Sequence, residues 1–312
     1  MFSWNSGRLA LVCLSMVSAS AFAGGIGTST AWRRTTWKGE PAWVSVRGKV
    51  RAVVSEARCR LVYLGAADGT YNLLNAPDKA PMPDAGNVSP NWGGHRFWLG
   101  PQKRWVWPAP NDWEHAAAKS VSDRDGVLVL DHPHTDPHYP ALRREYAWDG
   151  DRLRCTVSWK DDGRPYYGMH VVAVNVPFRI VTRLVRWEEV PDGVVDVQMR
   201  DPRATGVLPN PCVQVQGDRA TVTAGIKTLK SGYAPQALTV ERPGGWELSM
   251  IPGPHEGVAI TSPDFGYLSQ VWVGGPEYDL AEIEQLTPYL IGDRNGRCSS
   301  TIYLEALPPV AR

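Results

Sequence analysis

At 312 residues, 43% hydrophobic and 21% charged, the chain can build a sizeable core as one large domain or two small ones. Its net charge is only +1, with Lys and Arg spread along the chain, which excludes the electrostatic signature of a nucleic-acid binder. The aromatic set, 14 Trp against 5 Phe, suits polar rings better than lipid.

Residues 1–23 read as a secretory signal peptide. Arg8 supplies the positive charge, Leu9 to Val17 is apolar except for Ser15, and Ala21-Phe22-Ala23 ends in a small-x-small pattern with cleavage expected after Ala23. Cys13 follows Leu11-Val12, which argues against a lipid anchor. No other apolar run approaches membrane-spanning length, so a periplasmic or extracellular protein without a membrane span is expected, a monomer or weak dimer. Cys59, Cys155, Cys212 and Cys298 remain after cleavage, and two disulfides or buried thiols are both open.

Residues 24–41 read as a surface leader, and 42–312 as one domain. Ala42 to Ser55 is valine-rich and alternates, as strands do. Cys59 to Leu64 ends in a Gly/Asp turn cluster and is followed by Tyr71-Asn72-Leu73-Leu74-Asn75. Asn91 to Trp113 then packs Trp92, Trp98, Trp105, Trp107 and Trp113 among prolines and glycines with neither helical nor strand period. Such rings either plug a core or line a concave surface where indoles stack on sugars. The cleft is the expectation, with Trp98, Trp105 and Trp107 as platforms. Ala116 to Lys119 offers one helical turn.

From Gly126 onward the pattern is strand after strand. Arg152 to Lys160 alternates cleanly, with Leu153, Cys155, Val157 and Trp159 on one face. Pro243-Gly244-Gly245 marks a hairpin. About a dozen short strands and no helix beyond two turns predict an all-β fold, one large antiparallel β-sandwich.

Three constellations carry the chemistry. Glu282 and Glu284 share one strand face and could act as an acid/base pair or take sugar hydroxyls; a plain solvent face is the alternative. His170 shares a face with Val172 and Val174, as a core histidine or, at a cleft, a proton donor. His132, His134 and His138 match no standard metal spacing and read as a loop, so no metal is expected. No Gly-rich phosphate loop or Gly-x-Ser-x-Gly elbow is present, and no cofactor is expected.

Taken in order, Tyr71 to Asn75, Gly93-Gly94-His95-Arg96-Phe97-Trp98 with Trp107-Pro108, and Ala281-Glu282-Ile283-Glu284-Gln285-Leu286-Thr287-Pro288 resemble the galactose mutarotase-like superfamily, which includes the aldose 1-epimerases. The resemblance spans roughly residues 42–308 and implies a β-supersandwich with a sugar cleft. In the epimerases a glutamate on a late strand takes the anomeric proton and a histidine on a middle strand protonates the ring oxygen. Carried over by motif order, Glu284 is the implied base with Glu282 as alternate. His170 is the implied acid, and Asn72, His95 and Arg96 are implied hydroxyl ligands. Met169 stands where that family has Asn before its histidine, and the glutamate strand lacks the Glu-Thr-Gln pattern. The expected partner is a mono- or oligosaccharide. Anomer interconversion, a non-catalytic carbohydrate-binding module, and a hydrolase or lyase accessory domain all remain open.

Overall fold

The computed structural model describes residues 31–77, 93–105, 108–184, 194–196, 212–223, 228–274 and 280–310. Residues 1–23, expected as a signal peptide, and Trp92 and Trp107 lie outside them. Four strands open the described chain as an antiparallel meander: β1 (Arg33–Trp37), β2 (Glu40–Arg47), β3 (Val50–Ser55) and β4 (Arg60–Ala66). The expected leader therefore contains a strand. Residues 33–37 pair with Val44 to Glu40, because Trp37 can be buried only against this sheet, where it packs with Ala42 and Val53.

β5 (His95–Gly100) joins a six-stranded sheet at its edge. One helical turn, α1 (Asn111–Glu114), precedes β6 (Ser120–Arg124), β7 (Val127–Asp131), β8 (Leu142–Asp149) and β9 (Arg152–Lys160). The turn expected at Ala116 to Lys119 thus forms a few residues earlier, after Pro110. The remaining strands are β10 (Tyr167–Asn175), β11 (Arg179–Arg183), β12 (Val194–Asp196), β13 (Val213–Gln216), β14 (Arg219–Thr223) and β15 (Leu229–Tyr233). They continue through β16 (Leu238–Glu241), β17 (Glu247–Glu256), β18 (Val258–Ala259), β19 (Ser269–Val273), β20 (Leu280–Leu286), β21 (Leu290–Ile291) and β22 (Arg297–Leu307). The six-stranded sheet runs β12-β15-β19-β20-β10-β5, and a ten-stranded sheet runs β13-β14-β11-β16-β17-β22-β9-β8-β7-β6. All named pairings are antiparallel. The all-β sandwich expected from the sequence is present, with more and shorter strands than its alternation alone resolves.

Period-two alternation puts Val172 and Val174 of β10 and Ile283 of β20 into the core between the sheets, against Cys155 and Leu153 of β9 and Leu304 and Ile302 of β22. Cys59, Cys155, Cys212 and Cys298 are all buried, so they act as small apolar fillers.

The Gly93-Gly94 pair fixes how β5 enters. Both have positive φ, +61° and +70°, and an added Cβ would lie 2.0 Å from the Asn75 carbonyl oxygen and 2.3 Å from that of Leu61. Glycine is needed for conformation and for close approach. Gly94→Ala should cost at least about 1–3 kcal/mol of stability, readable as a shift of the urea midpoint; an unshifted midpoint would contradict this placement.

Candidate functional site

The β10–β20 register decides which residues can meet. Val171 pairs with Glu284, Ala173 with Glu282, and His170 with Gln285. On β5, Arg96 pairs with Val171, and His95 with Val172. Because side chains alternate, Glu282, Glu284, Arg96 and Trp98 share the outer face of the six-stranded sheet, while His95, His170 and Gln285 face the other sheet. Glu284 and His170, the implied base and acid, thus project from opposite faces of neighbouring strands. The structure does not bring them together. The side chain across from His170 is the amide of Gln285, which takes no proton near neutral pH.

On the inner face, His170 and His95 stack with ring centroids 5.1 Å apart and a 2.9 Å Nδ1···Nε2 contact. His170 Nε2 lies 2.9 Å from Ser300 Oγ on β22, and His95 Nδ1 lies 3.4 Å from the Tyr146 hydroxyl on β8. Arg144 donates to the His95 carbonyl at 2.8 Å and to His132 Nε2 at 2.8 Å. All five side chains of this inner chain, with Arg144, are almost wholly buried. It is a polar seam that ties the two sheets together. Burial and the Arg144 charge hold His170 down near 3, so its ring is neutral. Burial, with His170 and Arg144 beside it, likewise depresses His95. Gln285 is occupied as well, accepting from Ser269 and donating to the Gln236 carbonyl.

The outer face carries a chain of charges. Glu114 of α1, fully buried, accepts from Arg60 of β4 at 3.1 Å, from Arg96 at 3.1 Å and from Trp98 Nε1 at 2.9 Å. Arg96 then donates to Glu282 at 2.5 Å, and its guanidinium lies 4.2 Å from the Trp98 ring centroid. Glu284 pairs with Lys230 of β15 at 2.7 Å. Two members reach solvent: Glu282 is 13% exposed and Lys230 24%. Although burial disfavours its charged form, the two arginines hold the Glu114 carboxyl down at about 2. Burial raises Glu282, opposed by Arg96 and reinforced by the Glu284 charge.

The other expected site residues serve the frame. Trp98, Trp105 and Trp113 are buried and meet edge to face, 6.0 and 6.5 Å apart, and Trp113 meets Tyr139 at 5.3 Å. Their N–H groups go to Glu114, the Leu99 carbonyl and the Pro140 carbonyl. The described part of the tryptophan stretch is therefore core, not a stacking platform. Apolar area decided that outcome, since indoles this large bury more surface than any loop leaves open. Asn72 caps its own turn, accepting from Leu64 and Leu74 and donating to the Val62 carbonyl, which leaves no free donor pair for a sugar. In the histidine run, His132 is buried on the Asp112 carbonyl and Arg144, whereas His134 reaches the Tyr139 carbonyl. Among the described residues no group of three or more His, Cys, Asp or Glu could hold a metal.

Sequence reasoning missed Glu114, Arg60, Lys230 and Ser300. Nothing local marks them, because each is brought in by a different strand or turn. Gln285 sat in view, one residue past the glutamate, and only the pairing register gives it meaning.

No family model matches the chain, and no curated protein matches it. Solved structures do. A candidate mutarotase (YeaD) from Salmonella typhimurium superposes with a TM-score of 0.56 at 14% identity, covering 90% of this chain and 95% of that one. A galactose mutarotase-like protein from Lactobacillus casei gives 0.51 at 12% identity, over 85% and 100%. A galactose mutarotase related enzyme from Lactobacillus acidophilus gives 0.50 at 8% identity, over 87% and 99%. The chain has the galactose mutarotase-like fold. At such identities the likeness extends to fold and no further.

The charges above dictate an acid response. Glu114 is lowered from 4.5 to about 2, so its contribution is complete above pH 4.5 and lost as pH falls toward 2, about 3 kcal/mol in all. His170 and His132, both lowered from 6.5 to about 3, remain neutral in the fold while the unfolded chain already binds protons. Unfolding free energy should therefore decline from pH 6.5 downward and more steeply below 4.5. Glu114→Gln should cost about 3–5 kcal/mol at pH 7 by stranding Arg60 and should remove the steeper part. Urea titrations across pH test both; a flat profile from 6.5 to 4 would refute the assignment.

Proposed function

We propose that this protein binds a carbohydrate on the outer face of the six-stranded sheet, through Glu282, Glu284, Arg96 and Lys230. The observation that carries the reading is the convergence of two carboxylates and two cations from β5, β20 and β15 on one face of the sheet, with Glu282 and Lys230 reaching solvent. Sugar hydroxyls donate to carboxylates and accept from guanidinium and ammonium groups, and Glu282 and Lys230 offer both roles at the surface, held from beneath by Arg96 and Glu284. The fold shared with mutarotase-like proteins supports the same substrate class by analogy. The signal-like residues 1–23 support export to the periplasm or beyond.

One observation favours a catalytic second reading. Burial pushes Glu282 up against the pull of Arg96, and Glu284 with its neighbour Lys230 lies on the same face, so two carboxyl groups in unlike surroundings share one opening. Anomer interconversion by this protein would then run through the two glutamates, not through His170.

Saturation-transfer NMR against free hexoses, pentoses, uronic acids and short neutral oligosaccharides tests binding. The same samples report α/β anomer exchange. We expect transfer to at least one neutral sugar, weakened tenfold or more in Glu284→Gln. Absence of transfer across the panel, or transfer untouched by both Glu282→Gln and Glu284→Gln, would overturn the reading. Exchange faster than buffer and lost in Glu282→Gln would add catalysis; unaccelerated exchange leaves a binding protein.

A further inference from the structure

The outer face of the ten-stranded sheet holds a feature that the preceding reading does not use. A groove of about 1070 Å³ runs over β8, β9 and β22, bordered by Ser120 and His134 on one side and by Pro254 and Glu256 on the other. Alternation makes it polar. While Cys155, Val157 and Trp159 of β9 enter the core, Arg154, Thr156, Ser158 and Lys160 turn outward. On β22 their direct partners are Tyr303, Thr301, Ser299 and Arg297.

This pairing gives the groove a layout. Its floor is a double row of hydroxyls, with Thr156 and Thr301 bonded to each other at 2.9 Å and Ser158 across from Ser299. One end carries Arg154 beside the half-buried Tyr303 ring, and the other carries Lys160 beside Arg297. Six residues of extended strand separate Arg154 from Lys160, about 20 Å. That is far longer than a single sugar.

The charges are unevenly matched. Five cations and three carboxylates line the groove, an excess of two on a chain whose total is +1. Asp131 is taken by Arg143 at 2.7 Å and by Ser120 at 2.7 Å, and Glu256 accepts from Ser299 at 3.1 Å. Among the described residues Lys119, Arg154, Lys160 and Arg297 make no ion pair within 4 Å, although Lys119 acts on Asp131 and Arg297 on Asp293 at longer range. Asp293, at the adjacent turn, takes the backbone N–H of Arg297. Lys160 and Arg297 moreover sit directly opposite each other, an arrangement that costs a sheet stability and that Asp293, acting on Arg297 alone, answers only in part.

We propose that this groove binds an extended anionic oligosaccharide, a chain of uronate units. Its carboxylates would meet Arg154 at one end and Lys160 with Arg297 at the other, its hydroxyls would meet the Thr/Ser floor, and one ring would lie on Tyr303. The inference stands apart from the proposed site on the six-stranded sheet and does not depend on it.

The test is calorimetric titration of the full chain with oligogalacturonate of several units, galacturonic acid monomer, and a neutral oligosaccharide of equal length. We expect the uronate oligomer to bind, the monomer to bind at least tenfold more weakly, and the neutral chain to bind weakest. Raising salt to 0.5 M should weaken the oligomer severalfold. Lys160→Ala with Arg297→Ala should cost tenfold or more without lowering the melting temperature, and Arg154→Ala alone should also weaken binding. Glu284→Gln, on the other sheet, should leave the uronate affinity unchanged while it weakens neutral-sugar binding at the first site. Equal affinity for neutral and anionic chains, indifference to the double variant, loss in Glu284→Gln, or equal binding of a single-stranded oligonucleotide would each overturn the proposal.

Discussion

The register between β10 and β20 is the constraint on which the functional reading depends. Because successive side chains on a strand point to opposite faces, a slip of one residue would bring Glu284 to His170 and remove Gln285. The slip does not occur, because the apolar residues of the two strands cannot tolerate it. Val172, Val174, Ala281 and Ile283 are all wholly buried in the inter-sheet core, and exposing them would cost several kcal/mol. Hydrophobic burial thus decides which polar residues can cooperate, although those residues contribute little to the decision.

Two polar systems result, one on each face of the same strands. The inner one, Ser300–His170–His95–Tyr146, is wholly buried and neutral, with Arg144 joining it through the His95 carbonyl. Every bond in it replaces one lost to water, which is the condition under which a sandwich tolerates histidines between its sheets. The outer one is ionic and graded, from the fully buried Arg60–Glu114 pair to the partly exposed Glu282 and Lys230. Its buried end costs desolvation that tight geometry offsets, and its open end is where a ligand could be met.

How much of this was legible in the sequence follows from the range of each signal. Alternation in Arg152 to Lys160 and the glycine-marked turns are local, so the all-β class and most strands could be read directly. Glu282 and Glu284 sharing a face is equally local, and it holds. Which face each strand presents to the second sheet is not local. Hence His170 was correctly grouped with Val172 and Val174, yet its separation from Glu284 needed the pairing. The tryptophans show the same limit. Composition announces large rings, but only contacts reveal that Trp98, Trp105 and Trp113 spend their faces on one another. Glu114 had no signal at all, since its arginines arrive from β4 and β5.

The same alternation that hides a site on one sheet builds a surface on the other. Along β9 each core residue is followed by an outward hydroxyl or cation, and β22 answers it position by position. A sheet face selected only for solubility would interleave charges of both signs, since like charges directly opposite repel. Lys160 facing Arg297 departs from that rule, as Arg183 facing Arg219 does further along the sheet, but here the departure adjoins a floor of hydroxyls that leads to Arg154. The combination of unpaired cations at both ends with a hydroxyl floor between them, rather than any motif, is what points to a ligand.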